Sequence, residues 1–240
     1  MVNHGANAAA DLVRIGVDPR KVLPFDWPEL LSPSRLSPKK APSDPSSVRL
    51  TYIGQITAAK GVGDLIASLA IAKSKTMCYQ AKIAGAGDVE KFRKMAHRLG
   101  VEPQIEFAGK VSHDQVLRLM NDGDAVIVPS RPEYPEGIPQ TIYEGLASRS
   151  PVVVSDHPMF RGRIVHRKSG MVFRAADSGS LFDSIHELVS DKALYERLSH
   201  DAVDICRRFH GPLKWDQVIT RWLSATPEDD RWLRRFALSH

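Results

Sequence analysis

Between residues 48 and 173 the chain alternates short apolar runs with longer amphipathic stretches. The runs predict strands at Val48 to Ile53, Gln80 to Ala84, Ile105 to Ala108, Ala125 to Val128 and Pro151 to Val154, with a last one in Ser169 to Phe173. AVIV and PVVV show no polar alternation, the pattern of strands covered on both faces, as in parallel sheets. Between them, Val62, Leu65, Ile66 and Leu69 form one helical stripe over residues 62–75. Further helices are expected over Asp88 to Leu99, from a capping box at Ser112 and Gln115 to about Asn121, around Leu181, Ile185 and Leu188, and over 192–209. Strand–helix alternation of this kind calls for an α/β, doubly wound parallel sheet (Rossmann-like) with right-handed crossovers.

The flanks read differently. Asn7 to Ile15 predicts a helix ended by Gly16, followed by a turn at Val17-Asp18-Pro19 and an extended piece from Lys21 to Phe25. Residues 32–47 carry four prolines and few apolar residues, which suits a linker with polyproline II character. Two terminal helices are expected, Asp216 to Leu223 and Asp229 to Leu238. The expected organisation is a leading segment over 1–31, a linker over 32–47, the main domain over 48–212 and C-terminal helices over 213–240.

Candidate chemistry concentrates in Ala125 to Ser155, where a helix joins two apolar strands. Gly137 breaks the chain, and Pro139 suits a first turn, where no amide hydrogen is needed. Glu136 stands at or before the helix start, where the dipole favours negative charge. Glu136, Gln140 and Glu144 are spaced to share one helical face. Two carboxylates eight residues apart on a helix are roughly 12 Å apart, too far for an acid/base pair across one bond. They suit two contacts to one elongated ligand, with a carboxylate accepting from neighbouring hydroxyls and helix amides meeting phosphate between them. A solvated helix bearing two incidental glutamates is the alternative.

Composition narrows the partners. The chain has 240 residues and a net charge of +5 with a pI near 9.2, compatible with phosphorylated ligands or an anionic surface. Lys39-Lys40 and Arg207-Arg208 are isolated pairs, expected on solvated surface, so no nucleic-acid arm is present and no nucleic-acid partner is expected. Cys78 and Cys206 lie in no metal-ligand spacing and form no disulfide framework, so a reducing cytoplasm is the simplest compartment. No apolar run is long enough for a transmembrane helix, which leaves peripheral membrane contact open.

Glu136-x7-Glu144, within PEGIPQTIYEGLASRSPVVVSDHP, resembles the signature of retaining GT-B glycosyltransferases of the family 4, group 1 type. GVDPRKVLPF near the start resembles that fold's interdomain handover, and GQITAAKGVG its diphosphate loop. The resemblance runs from about residue 5 to 223. It implies the C-terminal, donor-binding half of a GT-B fold, with most of the N-terminal, acceptor-binding domain absent and a possible N-terminal half on another chain. It implies a nucleoside-diphosphate sugar as donor, no cofactor and no metal.

Carried over, Glu144 binds the donor ribose and Glu136 lies beside the donor sugar. Lys60 stabilises the leaving diphosphate. Gly54 and Gln55 belong to the diphosphate loop, with Gln55 standing where the family commonly has Arg. Gly85 and Gly87 lie in a loop near the nucleotide, and the backbone at Lys110 and Val111 near the base. Gly137, Ile138 and Pro139 open the helix toward the donor. His157, in a turn at a strand's carboxyl end, is a candidate contact to phosphate or sugar, with a tight Asp-His-Pro turn as the alternative. Gly85-Ala86-Gly87 allows close approach of either a ligand or another backbone. His113 is expected to be an exposed cap residue, Arg131 and Glu133 surface charge, with a place lining the site as the alternative, and Tyr143 packed. Trp215, Trp222 and Trp232 are expected to pack or to face a partner.

The implied function is transfer of a sugar from a nucleotide-sugar to an acceptor. The alternatives are a nucleotide-sugar-binding module without turnover and, fitting the helix pattern less well, a sugar-nucleotide epimerase.

Overall fold

A computed structural model describes residues 2–25, 36–210 and 213–238, with side chains described from residue 9. It divides into two compact units, one of residues 1–32 and 207–240 and one of residues 33–206. In chain order the elements are β1 (Val2–His4), α1 (Gly5–Arg14), β2 (Leu23–Phe25), β3 (Ser47–Ile53), α2 (Val62–Ser74), β4 (Cys78–Ala84), α3 (Val89–Arg98), β5 (Ile105–Gly109), α4 (His113–Asp122), β6 (Ala125–Val128), α5 (Gln140–Ala147), β7 (Val152–Ser155), β8 (Met171–Phe173), α6 (Ser178–Ser190), α7 (Lys192–Phe209), α8 (Trp215–Ser224) and α9 (Pro227–Arg234).

The larger unit is built on a six-stranded sheet in the order β5-β4-β3-β6-β7-β8, with every pairing parallel. This is the doubly wound sheet expected from the sequence. β6 and β7 are buried along their whole length, which is why their sequences carry no polar alternation. β3 instead alternates at its start, with Val48 and Leu50 buried and Arg49 exposed. On one face, α2 packs Leu65, Ile66 and Leu69 into a core shared with Leu181, Ile185 and Leu188 of α6 and Tyr195 of α7. Chain order reverses between β3 and β6, so the loops that follow these two strands diverge at the carboxyl edge of the sheet. Open α/β sheets bind ligands at such a switch point.

The predicted elements lie within a few residues of the observed ones, and the Ser112–Gln115 capping box is present at the start of α4. The final helix is displaced. Thr226 caps it by accepting from the Asp229 amide, so α9 begins at Pro227 and ends at Arg234 rather than running to Leu238.

In the smaller unit, β1 pairs in parallel with β2. Leu213, Val218 and Leu233 form a small cluster with Phe25, Trp232 and Phe236 against it. Trp215 packs against Phe25 in a tilted arrangement at 4.9 Å between centroids, while Trp222 is 62% exposed. Gly211 and Pro212, which follow α7 in the sequence, lie outside the described residues, as do residues 32–35 of the expected linker.

Lys39 departs from expectation. Its ammonium is not solvated; it donates to the Met120 carbonyl at 2.8 Å, the Gly123 carbonyl at 2.5 Å and Ser150 Oγ at 2.6 Å. Burial pushes the Lys39 ammonium down to about 8, so at pH 7 it keeps three protons for three acceptors. The proline-rich stretch is thereby stapled to the end of α4 and to the turn before β7. Lys39→Met strands the Gly123 carbonyl and is expected to cost about 1–3 kcal/mol of unfolding free energy, measured by urea denaturation.

Candidate functional site

The loop after β3 and the loop after β6 meet at the switch point, and the reason is steric. Gly61 sits at φ +72°, and a Cβ there would stand 1.9 Å from the Pro129 carbonyl oxygen. Only glycine lets the two backbones close. Lys60, the preceding residue, is thereby set against the segment that follows β6. Its ammonium donates to Glu136 Oε2, and Ser130 Oγ donates to the same oxygen at 2.7 Å. The Lys60 and Glu136 side chains are 13% and 8% exposed, so the pair sits in a largely dehydrated pocket. There the attraction is strong, and either partner left alone would be costly.

Glu136 is not on the helix. α5 starts at Gln140, and Pro139 is its N-cap, extended at φ −67° and ψ 140°, rather than a first-turn residue. The expected common helical face of Glu136 and Glu144 is therefore corrected. Glu144 is helical, whereas Glu136 is held in a loop by Lys60 and Ser130. Ile138 is buried, while Gly137 and Pro139 are partly exposed.

The segment from Ser130 to Glu136 is fastened along its length. Arg131 makes a two-pronged pair with the buried Asp64 of α2, at 2.9 and 2.7 Å. Arg131 is thus a structural tie, not the surface charge expected, and Asp64 gains the partner that a buried carboxylate requires. Glu133 stays exposed, 3.9 Å from Arg131. The Ser155 hydroxyl donates to the Ser130 carbonyl at 2.5 Å.

His157 is 3% exposed. Its Nδ1 accepts from the Met159 amide at 3.2 Å, which leaves the proton on Nε2 to donate to the Tyr134 carbonyl at 3.1 Å. Both ring nitrogens are engaged within the protein. His157 thus serves as a brace for the loop, as in the tight-turn alternative, since its capping turn uses one nitrogen and the loop uses the other.

The loops after β3, β4 and β5 line a concavity of about 650 Å³. Gly54, Gln55, Gly85, Gly87, Lys110 and Val111 all contribute to it. The sequence-derived residues of three separate loops are thus brought together. The Gly85-Ala86-Gly87 ambiguity resolves toward backbone contact. A Cβ on Gly85 would meet the Gly54 carbonyl oxygen at 1.8 Å, and the Ile56 amide donates to the Ala86 carbonyl at 2.8 Å.

Glu144 is 8% exposed, and its nearest ionic neighbour is His113, with Nδ1 3.4 Å from Oε1. His113 is therefore more than a cap residue. Burial raises the Glu144 carboxyl above the ordinary glutamate range, and His113 pulls the other way. Tyr143 is buried, as expected. Sequence reasoning passed over Ser130, Asp64, Tyr134 and the His113 contact. Ser130 and Tyr134 flank Glu136 closely enough to have been flagged. Asp64 and His113 meet their partners only across the fold. Among the described residues no group of three His, Cys, Asp or Glu could hold a metal ion, and no helix is long and apolar enough to cross a membrane.

A sequence model of the family described as glycosyl transferases group 1 matches residues 33–203. The chain is 29% identical over 138 residues to the amylovoran biosynthesis glycosyltransferase AmsK of Erwinia amylovora, covering 56% of this chain and 34% of that protein. It is 24% identical over 214 residues to glycogen synthase of Mycobacterium tuberculosis, covering 89% of this chain and 47% of that one. Anabaena Alr3699/HepE in complex with UDP-glucose superposes with a TM-score of 0.70 at 19% identity, over 87% of this chain and 59% of that one. The catalytic domain of a cholesterol-alpha-glucosyltransferase from Helicobacter pylori gives a TM-score of 0.58 at 19% identity, over 68% and 98%. The two structural likenesses establish a shared fold. The chain spans about a third to a half of the length of these curated relatives.

The buried Glu144 carboxylate carries a stability cost with a definite sign. Its folded-state affinity for a proton is raised, so the folded chain binds more protons than the unfolded one just above pH 4.5, and stability falls as pH rises through that window. Glu144→Gln is expected to raise the Tm of the ligand-free chain at pH 7, with the gain narrowing as pH falls toward 4.5. Thermal melts of both proteins across that range would check it.

Proposed function

Because this chain belongs to the glycosyl transferases group 1 family, we propose that it binds a nucleoside-diphosphate sugar at the carboxyl edge of its sheet and serves as the donor half of a retaining sugar transferase. The observation that carries this reading is the convergence of Lys60 and Glu136 beside the concavity formed by Gly54, Gln55, Lys110 and Val111. A nucleotide in the concavity, with its ribose hydroxyls on Glu144, directs its diphosphate past Lys60 and its sugar toward Glu136.

In the transfer, the bond between the anomeric carbon and the diphosphate oxygen breaks, and the electron pair leaves with the phosphate. Lys60 opposes the negative charge that develops there, in a pocket where little water competes. The first amides of α5 add a positive potential, since they have no partner inside the helix. We propose that this set replaces a metal ion. Glu136 orients the sugar, and its carboxylate is held in place by Ser130 and Lys60. The acceptor hydroxyl, presented by a second, acceptor-binding half supplied by another chain, forms the new bond to the anomeric carbon, and its proton passes to the departing phosphate oxygen.

UDP, GDP and ADP should be screened with their sugar conjugates for thermal stabilisation of the chain. One nucleotide series is expected to raise the Tm, and Glu144→Ala is expected to weaken it roughly tenfold or more, as for a lost hydrogen bond to a charged group. Glu136→Ala is expected mainly to lower transfer by the assembled enzyme, because its carboxylate faces the sugar rather than the ribose. Calorimetry and a transfer assay separate the two. Unchanged affinity in Glu144→Ala would remove the ribose assignment.

A further inference from the structure

Tyr134 lies between the two halves of the site. Its ring covers the Lys60 ammonium at 4.2 Å from the centroid. Its hydroxyl donates to Gln55 Oε1 at 3.4 Å, and Gln55 lines the concavity. Its carbonyl is held by His157 Nε2 at 3.1 Å, and the Glu136 amide donates to that carbonyl at 2.7 Å. The ring is therefore placed by a braced backbone, not by a free loop tip. Any diphosphate that joins a nucleotide in the concavity to a sugar at Glu136 must pass the Gln55–Tyr134–Lys60 cluster.

Resting on the proposed donor reading, we propose that Tyr134 is a further diphosphate-binding residue, whose phenol donates a hydrogen bond to a phosphate oxygen. The bond to Gln55 is long and therefore weak, so exchanging it for an anionic oxygen is favourable. Gln55 contributes no charge, which leaves Lys60 as the cation of this cluster, already shared with Glu136. The ring shields one side of that ammonium from water and holds it by a cation–π contact. The phenol then supplies the directed donor that an ammonium, as a point charge, does not. Tyr134 acts here by binding and orienting the diphosphate.

The test uses the full chain and calorimetry with UDP, GDP and ADP, each beside its parent nucleoside. Tyr134→Phe keeps the ring over Lys60 and removes only the donor. It is expected to weaken the tightest-binding diphosphate roughly tenfold and to leave the nucleoside within about twofold. Gln55→Arg, combined with Tyr134→Phe, is expected to restore most of the loss, because a fixed cation then faces the same phosphate. A purely packing role for the ring would show neither the diphosphate-selective loss nor the rescue. If Tyr134→Phe binds the diphosphate like the wild type while Glu144→Ala still weakens it, the inference fails and the donor reading stands. If the wild type binds none of the three diphosphates, the donor reading fails and this inference falls with it.

Discussion

The contact on which the site depends is the closure of two loop backbones at the centre of the sheet. Gly61 against Pro129 is a steric condition, and the ion pair of Lys60 with Glu136 is its electrostatic counterpart. Neither would suffice alone. Without the close backbone approach the two side chains would be too far apart to pair. Without the pair, a largely buried ammonium and carboxylate would each lack compensation. The arrangement holds opposite charges together in a largely buried crevice.

Around that contact, several side-chain hydrogen bonds hold one loop in place. Arg131 with Asp64, Ser155 with the Ser130 carbonyl, and His157 with the Tyr134 carbonyl each fasten a different point of the segment after β6. A site built on a loop needs such support, because loop backbones lack the repeating hydrogen bonds of helices and strands. The helix α5 then carries only Glu144, whose burial makes it costly to keep ionised. Within the protein, His113 offsets part of that cost.

The family match falls on the same unit as the candidate site. The group 1 match covers residues 33–203, the same stretch that contains the whole six-stranded sheet and every residue of the candidate site. The smaller unit contributes none of those residues. Its exposed Trp222 and its small apolar cluster are described by their own packing.

Much of the fold was legible along the chain. Unbroken runs such as AVIV and VVVS can be satisfied only by covering both faces, and the stripe from Val62 to Leu69 can be satisfied only by a helix laid on a core. Local chemistry likewise marked the capping box at Ser112 and the glycines of the loops. What the chain alone did not reveal were relations between residues distant in sequence. Lys39 read as solvent-exposed because its three acceptors lie 81 to 111 residues away. Arg131 read as surface charge because Asp64 is on another helix. Glu136 and Glu144 read as helical partners because spacing carries no information about where a helix begins, which Pro139 and the Lys60 contact decide. Short-range patterns follow from backbone periodicity and side-chain burial, which each segment carries in itself. The pairing of charges follows from where the sheet order reverses, and that is a property of the assembled chain.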